Sequence, residues 1–193
     1  MNMALSGKRK LIILDRDGVL NVMQPQPISD PDQWHPLPGS MDAVAFLTQS
    51  GYTVVIAENM SGIGSGQVSM QQLNEVHGKM HTYIQKAGGR LSGIWFCPHT
   101  RNAKCNCRKP QPGMLLDIID RLHIKAEDTW LVGDGIRDMQ AIAAIGGHPV
   151  LVLTGKGKET LKLEELPDDT QVYDDLLDFA KFCRAQAEKA AEE

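Results

Sequence analysis

Short apolar runs alternate along this chain with longer segments whose apolar residues recur at helical spacing. Lys10–Leu14 (KLIIL) is broken abruptly by Asp15-Arg16-Asp17-Gly18, the pattern of a buried strand running into a loop. Tyr52–Ala57 (YTVVIA) is a second such run, followed by the polar, glycine-rich stretch Glu58–Gly66. Ser92–Phe96, Thr129–Val132 and Pro149–Leu153 supply further strands. Between them, Ser40 is expected to cap a helix carrying Val44 and Leu47. Ser69 and Gln72 form a capping box for a helix reaching about Ala87, closed by Gly88-Gly89. Leu115, Ile118, Ile119 and Leu122 mark a helix over 112–122, and another is expected over 136–144. Asp174 opens a final amphipathic helix with a solvated Ala/Glu/Lys tail, and proline-rich Val22–Pro38 reads as an irregular excursion. Alternation of this kind, with no repeat and no break in composition, predicts one α/β domain over residues 1–193. Its sheet is Rossmann-like, mainly parallel and flanked by helices.

Composition narrows the class. The 193 residues are 42% hydrophobic and carry a formal charge of −4, which suits one ordinary globular domain rather than a general nucleic-acid binder. No apolar run is long enough to span a membrane. Met1–Lys10 leaves no room for an export signal, so a cytoplasmic location is expected.

In a parallel sheet, chemistry gathers beyond the carboxyl ends of the strands. Asp15 and Asp17 follow the first strand, and Asp134 and Asp138 follow the fourth. Any one of these aspartates alone reads as a turn or helix cap. Four converging on one rim would repel unless a divalent cation such as Mg²⁺ compensated, and Lys109 could supply positive charge for a phosphate.

A second cluster, Cys97-Pro98-His99 followed by Cys105-Asn106-Cys107, offers three sulfurs and one imidazole, a usual tetrahedral Zn²⁺ set. The plainer alternative is a reduced, buried cysteine cluster with a surface histidine. A redox role is disfavoured because there is no C-x-x-C. With all positions filled by protein, such a zinc is structural, and it would pin the loop that carries Arg108 and Lys109.

The string Leu14-Asp15-Arg16-Asp17-Gly18-Val19-Leu20-Asn21 resembles the first motif of the haloacid dehalogenase superfamily. Arg108-Lys109-Pro110 is similar to its lysine motif, and Val132-Gly133-Asp134 with Asp138 to its last acidic motif. The resemblance implies a phosphomonoesterase with Asp15 as nucleophile and Asp17 as general acid and base. It implies Mg²⁺ held by Asp15, the Asp17 backbone carbonyl and Asp134, with Lys109 sharing the electrostatic work and Asp138 orienting it. The cysteine loop resembles the superfamily branch of heptose-bisphosphate and histidinol-phosphate phosphatases. Residues Asp32–Ser40 and the GVLN string favour the heptose side. That reading implies a small phosphorylated sugar as substrate, dephosphorylated at its 7-position, with Arg108 on the non-reacting phosphate. It also implies a monomer without nucleic-acid or membrane partners. Histidinol phosphate is the rival substrate.

Glu58, Met60 and Gly135 depart from the family pattern. Where it usually reads Thr-Asn-Gln-Ser-Gly, this chain reads Glu58-Asn59-Met60-Ser61-Gly62. Asn59 and Ser61 are expected at the substrate. Glu58 replaces a hydroxyl donor with a carboxylate, which accepts hydrogen bonds and repels phosphate. The sequence therefore predicts slowed chemistry, with a zinc-stabilised binding protein as the extreme case, and a gain in rate for Glu58→Thr. Gly135 stands where the heptose enzymes often carry lysine. His77, His81, His123 and His148 read as surface or helix-face residues. Met70, Met80 and Met114 read as packing, Cys183 as a core-facing thiol, and Lys156–Lys158 as a solvated loop.

Overall fold

The computed structural model describes residues 9–192. The reading of Met1–Lys10 therefore falls mostly on residues outside the described ones, as does Glu193 at the tail. The apolar runs become β1 (Leu11–Leu14), β2 (Thr53–Asn59), β3 (Gly93–Cys97), β4 (Thr129–Gly133) and β5 (His148–Val152), joined by β6 (Gln171–Tyr173). All pair in parallel, in the order β3-β2-β1-β4-β5-β6. The helices are α1 (Ser40–Gln49), α2 (Ser61–Gly64), α3 (Met70–Lys86), α4 (Gly113–Leu122), α5 (Ile136–Ala143), α6 (Gly157–Thr160) and α7 (Leu176–Glu192).

Successive side chains of a strand face opposite ways, and both faces of this sheet are covered. Ile12, Leu14, Val54, Ile56 and Val132 pack with Leu47 of α1, Val76 and Met80 of α3 and Phe179 of α7. Leu11, Ile13, Val55, Ala57 and Leu131 pack on the other side with Leu115 and Ile118 of α4 and Ala141 and Ile142 of α5. Cys183 is buried, as expected. Among the described residues no helix is long and apolar enough to cross a membrane.

Several local expectations are corrected. β2 continues to Asn59 because Glu58 and Asn59 stay in register with Phe96 and Cys97, so both lie on the strand rather than in a loop. Ser40 is the first residue of α1 and not its cap. Gly39 takes that place with φ +73°, and the Ser40 hydroxyl donates to the carbonyls of Leu20 (2.7 Å) and Leu37 (2.8 Å). The Ser69–Gln72 capping box forms as read. Met80 and Met114 are buried, whereas Met70 at the start of α3 is exposed. β6 and α6 had no sequence signal. One is a three-residue edge strand and the other a single turn, both too short to show a period.

Candidate active site

The carboxyl ends of β1, β2, β3 and β4 open onto one cleft of about 510 Å³, lined by Asp15, Asp17, Glu58, Asn59, Ser61, Arg108, Lys109, Asp134 and Asp138. The structure therefore brings together the acidic, lysine and loop residues singled out in the sequence.

Lys109 lies at the centre. It is 2% exposed, and its Nζ donates to Asp15 Oδ1 at 2.9 Å and to the Ala57 carbonyl at 2.6 Å. It also pairs with Asp138 Oδ1 at 2.5 Å. Burial alone would push the ammonium down, but the Asp138 and Asp15 carboxylates outweigh it and hold the group above its ordinary range. Its backbone is fixed separately. Lys109 N–H donates to Asn59 Oδ1 (3.1 Å), and Asn59 Nδ2 donates back to the Lys109 carbonyl (3.0 Å). Asn59, expected at the substrate, thus spends its amide on holding Lys109.

Oxygens of Asp15, Asp134 and Asp138 lie within 4.8 Å of one another. Burial first, then Asp138 and Asp134, push Asp15 up to about 8 despite the opposing pull of Lys109. Burial likewise raises Asp134 to about 6, against a backbone hydrogen bond from Lys156 (2.8 Å). Glycine is required around this carboxylate. A Cβ on Gly18 (φ +84°) or on Gly155 (φ +54°) would collide with Asp134 Oδ2. Three crowded carboxylates facing one ammonium form a hard-oxygen donor set that fits a divalent cation such as Mg²⁺.

The Asp17 carboxylate lies outside that trio. Arg16 grips it with Nε to Oδ1 and Nη2 to Oδ2, both at 3.0 Å, and Asn21 Nδ2 donates to Oδ1 at 2.9 Å. Burial opposes ionisation, but Arg16 and Asn21 win and hold Asp17 below the usual carboxylate range. Glu58, 3% exposed, is not a bare charge facing the cleft. Its Oε2 is 3.1 Å from Arg16 Nη1, and its Oε1 is 2.6 Å from His77 Nε2. His77 is therefore a half-buried partner on the inner side of its helix rather than a surface residue.

Cys97 Sγ stands 3.5 Å from His99 Nδ1, 3.7 Å from Cys105 Sγ and 3.3 Å from Cys107 Sγ, and Cys107 Sγ is 3.3 Å from His99 Nδ1. All the cysteines are free thiols. A tetrahedral zinc with Zn–S near 2.3 Å and Zn–N near 2.0–2.1 Å has edges of about 3.5–3.8 Å, so the four donors fit that ion. The loop then delivers Arg108, whose Nη1 donates to the His99 carbonyl at 3.1 Å. Arg101 and Arg137, not singled out in the sequence, flank Arg108 along the cleft. Lys156, read as solvated loop, and Thr160 instead line the cleft, the Lys156 backbone N–H donating to the Asp134 carboxylate and the Thr160 hydroxyl to the Asp134 carbonyl. Of the missed residues, only Arg16 had a visible signal, its place between two aspartates.

The HAD-hydrolase-like family model matches residues 106–179. The D-glycero-beta-D-manno-heptose-1,7-bisphosphate 7-phosphatase of Neisseria meningitidis is 59% identical over 175 residues, covering 90% of this chain and 94% of that protein. The Bordetella bronchiseptica protein of the same name is 46% identical, covering 86% and 93%. A crystal structure of D,D-heptose 1,7-bisphosphate phosphatase from B. bronchiseptica, complexed with magnesium and phosphate, superposes with a TM-score of 0.89 at 44% identity, covering 92% of this chain and 99% of that one. With relatives this similar over nearly their whole length, the chain belongs to the heptose-1,7-bisphosphate 7-phosphatase family of haloacid dehalogenase-like hydrolases.

Proposed function

We propose that this chain is a Mg²⁺-dependent phosphoric monoester hydrolase that removes the 7-phosphate of D-glycero-D-manno-heptose 1,7-bisphosphate in cell-envelope heptose synthesis. Residues 1–193 act as one catalytic domain and as a monomer. The observation that carries the chemistry is Lys109 held between Asp15 and Asp138 at the floor of the cleft, with Asp134 alongside.

Asp15 Oδ attacks phosphorus in line, forming an aspartyl-phosphate as the bond from phosphorus to the sugar oxygen breaks. Lys109 balances charge at the carboxylate and on the phosphoryl oxygens, and Asp138 keeps it aimed. Mg²⁺, held by Asp15, Asp134 and the Asp17 backbone carbonyl, would supply the positive charge that lets crowded carboxylates ionise together and offsets the phosphoryl oxygens. Asp17 gives a proton to the leaving sugar oxygen and then, ionised in its Arg16 fork, takes one from the water that hydrolyses the intermediate. Ser61 and Arg108 contact the substrate, with Arg108 on the phosphate that stays. Cys97, His99, Cys105 and Cys107 hold a structural zinc that fixes the loop bearing Arg108 and Lys109.

Phosphate release tests the reading. Heptose 1,7-bisphosphate should be hydrolysed only with Mg²⁺ present, and at least about tenfold more efficiently than histidinol phosphate, because only the bisphosphate engages Arg108. Preference for histidinol phosphate would overturn the substrate, and release of no phosphate from either would overturn the enzyme.

A further inference from the structure

Four polar side chains run inward from α3 to the loop after β1. His77 meets Glu58 at 2.6 Å, Glu58 meets Arg16 at 3.1 Å, and Arg16 grips Asp17 through two 3.0 Å contacts. Arg16 has no exposed surface, Glu58 is 3% exposed and the His77 side chain 12%. Buried charges persist only where they are paired, and Arg16 has a carboxylate on each side, Asp17 through two hydrogen bonds and Glu58 through an ion pair.

The shape of arginine gives this chain a consequence. A guanidinium is planar and presents its donors in a rigid fork. The edge formed by Nε and Nη2 donates to Asp17, and Nη1 faces Glu58 as an ion pair without a hydrogen bond of its own. A carboxylate held against Nη1 therefore resists displacement of the guanidinium, and with it of the Asp17 carboxylate that the other edge grips. His77 occupies the second oxygen of Glu58, so Glu58 cannot swing toward the cleft without abandoning a short contact. Asn21 holds Asp17 from one further side. Nothing on the Glu58 side of the fork besides Glu58 itself fixes Arg16 Nη1 among the described residues.

We propose that Glu58 and His77 are positioning residues for Asp17, acting through Arg16, and that Glu58 serves turnover rather than impeding it. The proposal rests on the reading of Asp17 as the proton-transfer group. It reverses the expectation from sequence, in which the same carboxylate is a repulsive charge whose removal speeds the reaction.

The test measures heptose-bisphosphate turnover by the Mg²⁺-loaded enzyme in five variants, together with exchange of the Arg16 Nε–H in protein labelled with ¹⁵N-arginine. Glu58→Gln keeps the shape and removes the charge. Its kcat should fall by about tenfold, since a misplaced catalytic group costs up to about a hundredfold, while KM stays within about twofold. Glu58→Thr should fall at least as far. His77→Leu should resemble Glu58→Gln, whereas His77→Gln keeps an N–H within reach of Glu58 and should recover most of the rate. Exchange of the Arg16 Nε–H should quicken in Glu58→Gln, Glu58→Thr and His77→Leu, and stay near that of the parent in His77→Gln. Turnover equal to or above that of the parent in folded Glu58→Gln or Glu58→Thr would overturn the proposal, as would an unchanged arginine signal. Asp17→Asn separates the two readings. If it keeps full turnover, the role given to Asp17 is wrong, and the arginine signal alone then decides whether Glu58 and His77 hold the fork.

Discussion

Asp15, Asp134 and Asp138 crowd three acidic groups between the ends of β1 and β4 and the first turn of α5. Cys97, His99, Cys105 and Cys107 crowd four softer donors at the end of β3. Both arrangements are costly without a cation, yet they differ in what surrounds them. The acidic group contains its own counter-charge in Lys109 and faces a cleft wide enough for a sugar phosphate. The sulfur group meets chiefly itself, at separations that suit one closed tetrahedral ion. A site that exchanges charged guests keeps a resident ammonium to hold it together between visits. A site filled once has no need of one.

The sharpest way to break this comparison is Asp15→Asn. Turnover should fall by at least about a thousandfold, because the proposed nucleophile is gone while shape is kept. The thermal midpoint should hold or rise, since one member of a repelling trio has been neutralised. Phosphate release and a thermal melt on the same sample check both, and unchanged turnover would move the covalent step to another carboxylate.

Cys105→Ser probes the other cluster. The parent should carry about one zinc per chain and the variant almost none, with turnover reduced by about ten- to a hundredfold through the displaced Arg108 and Lys109. Elemental analysis checks the metal, and full zinc content in the variant would refute the ligand set.

The smallest effect concerns pH. Asp15 and Asp134 bind their protons more tightly folded, at about 8 and about 6, than they do unfolded. The folded state therefore holds the extra protons, and its stability falls as pH rises through that interval. Protein dialysed free of magnesium should melt several degrees lower at pH 8 than at pH 6, given about 2–4 °C per kcal/mol for a chain of this size. Saturating Mg²⁺ should close most of that gap by binding the ionised trio. Equal melts at both pH values without magnesium would show that burial does not govern these carboxyls.

What the sequence disclosed follows from range. Asp15 and Asp134 were legible because each stands at the end of a short apolar run, so the strand and its chemistry share one local signal. The cysteine cluster was legible because its members lie within eleven residues. The partners of Glu58 were not, since His77 sits 19 positions away on an amphipathic helix, where a histidine facing inward looks like one facing out. The clamp between Asn59 and Lys109 spans 50 positions and depends on the register of β2 with β3. Lys156 and Thr160 act through backbone atoms near Asp134, and backbone contacts leave no trace in side-chain pattern.

That clamp also divides the labour of the loop. Asn59 fixes the chain at Lys109, while Cys97 and His99 on one side and Cys105 and Cys107 on the other tie off the stretch between them. The residues between them, 100–104, carry Arg101 to the cleft and Lys104 to an adjoining pocket that Arg101, Arg108 and Arg137 also line. Length changes in such a surface segment add little closure entropy. Under the proposed function, recognition is thereby mounted on an exchangeable cartridge, one that insertion or grafting can refit while the Lys109 ammonium stays where the sheet put it.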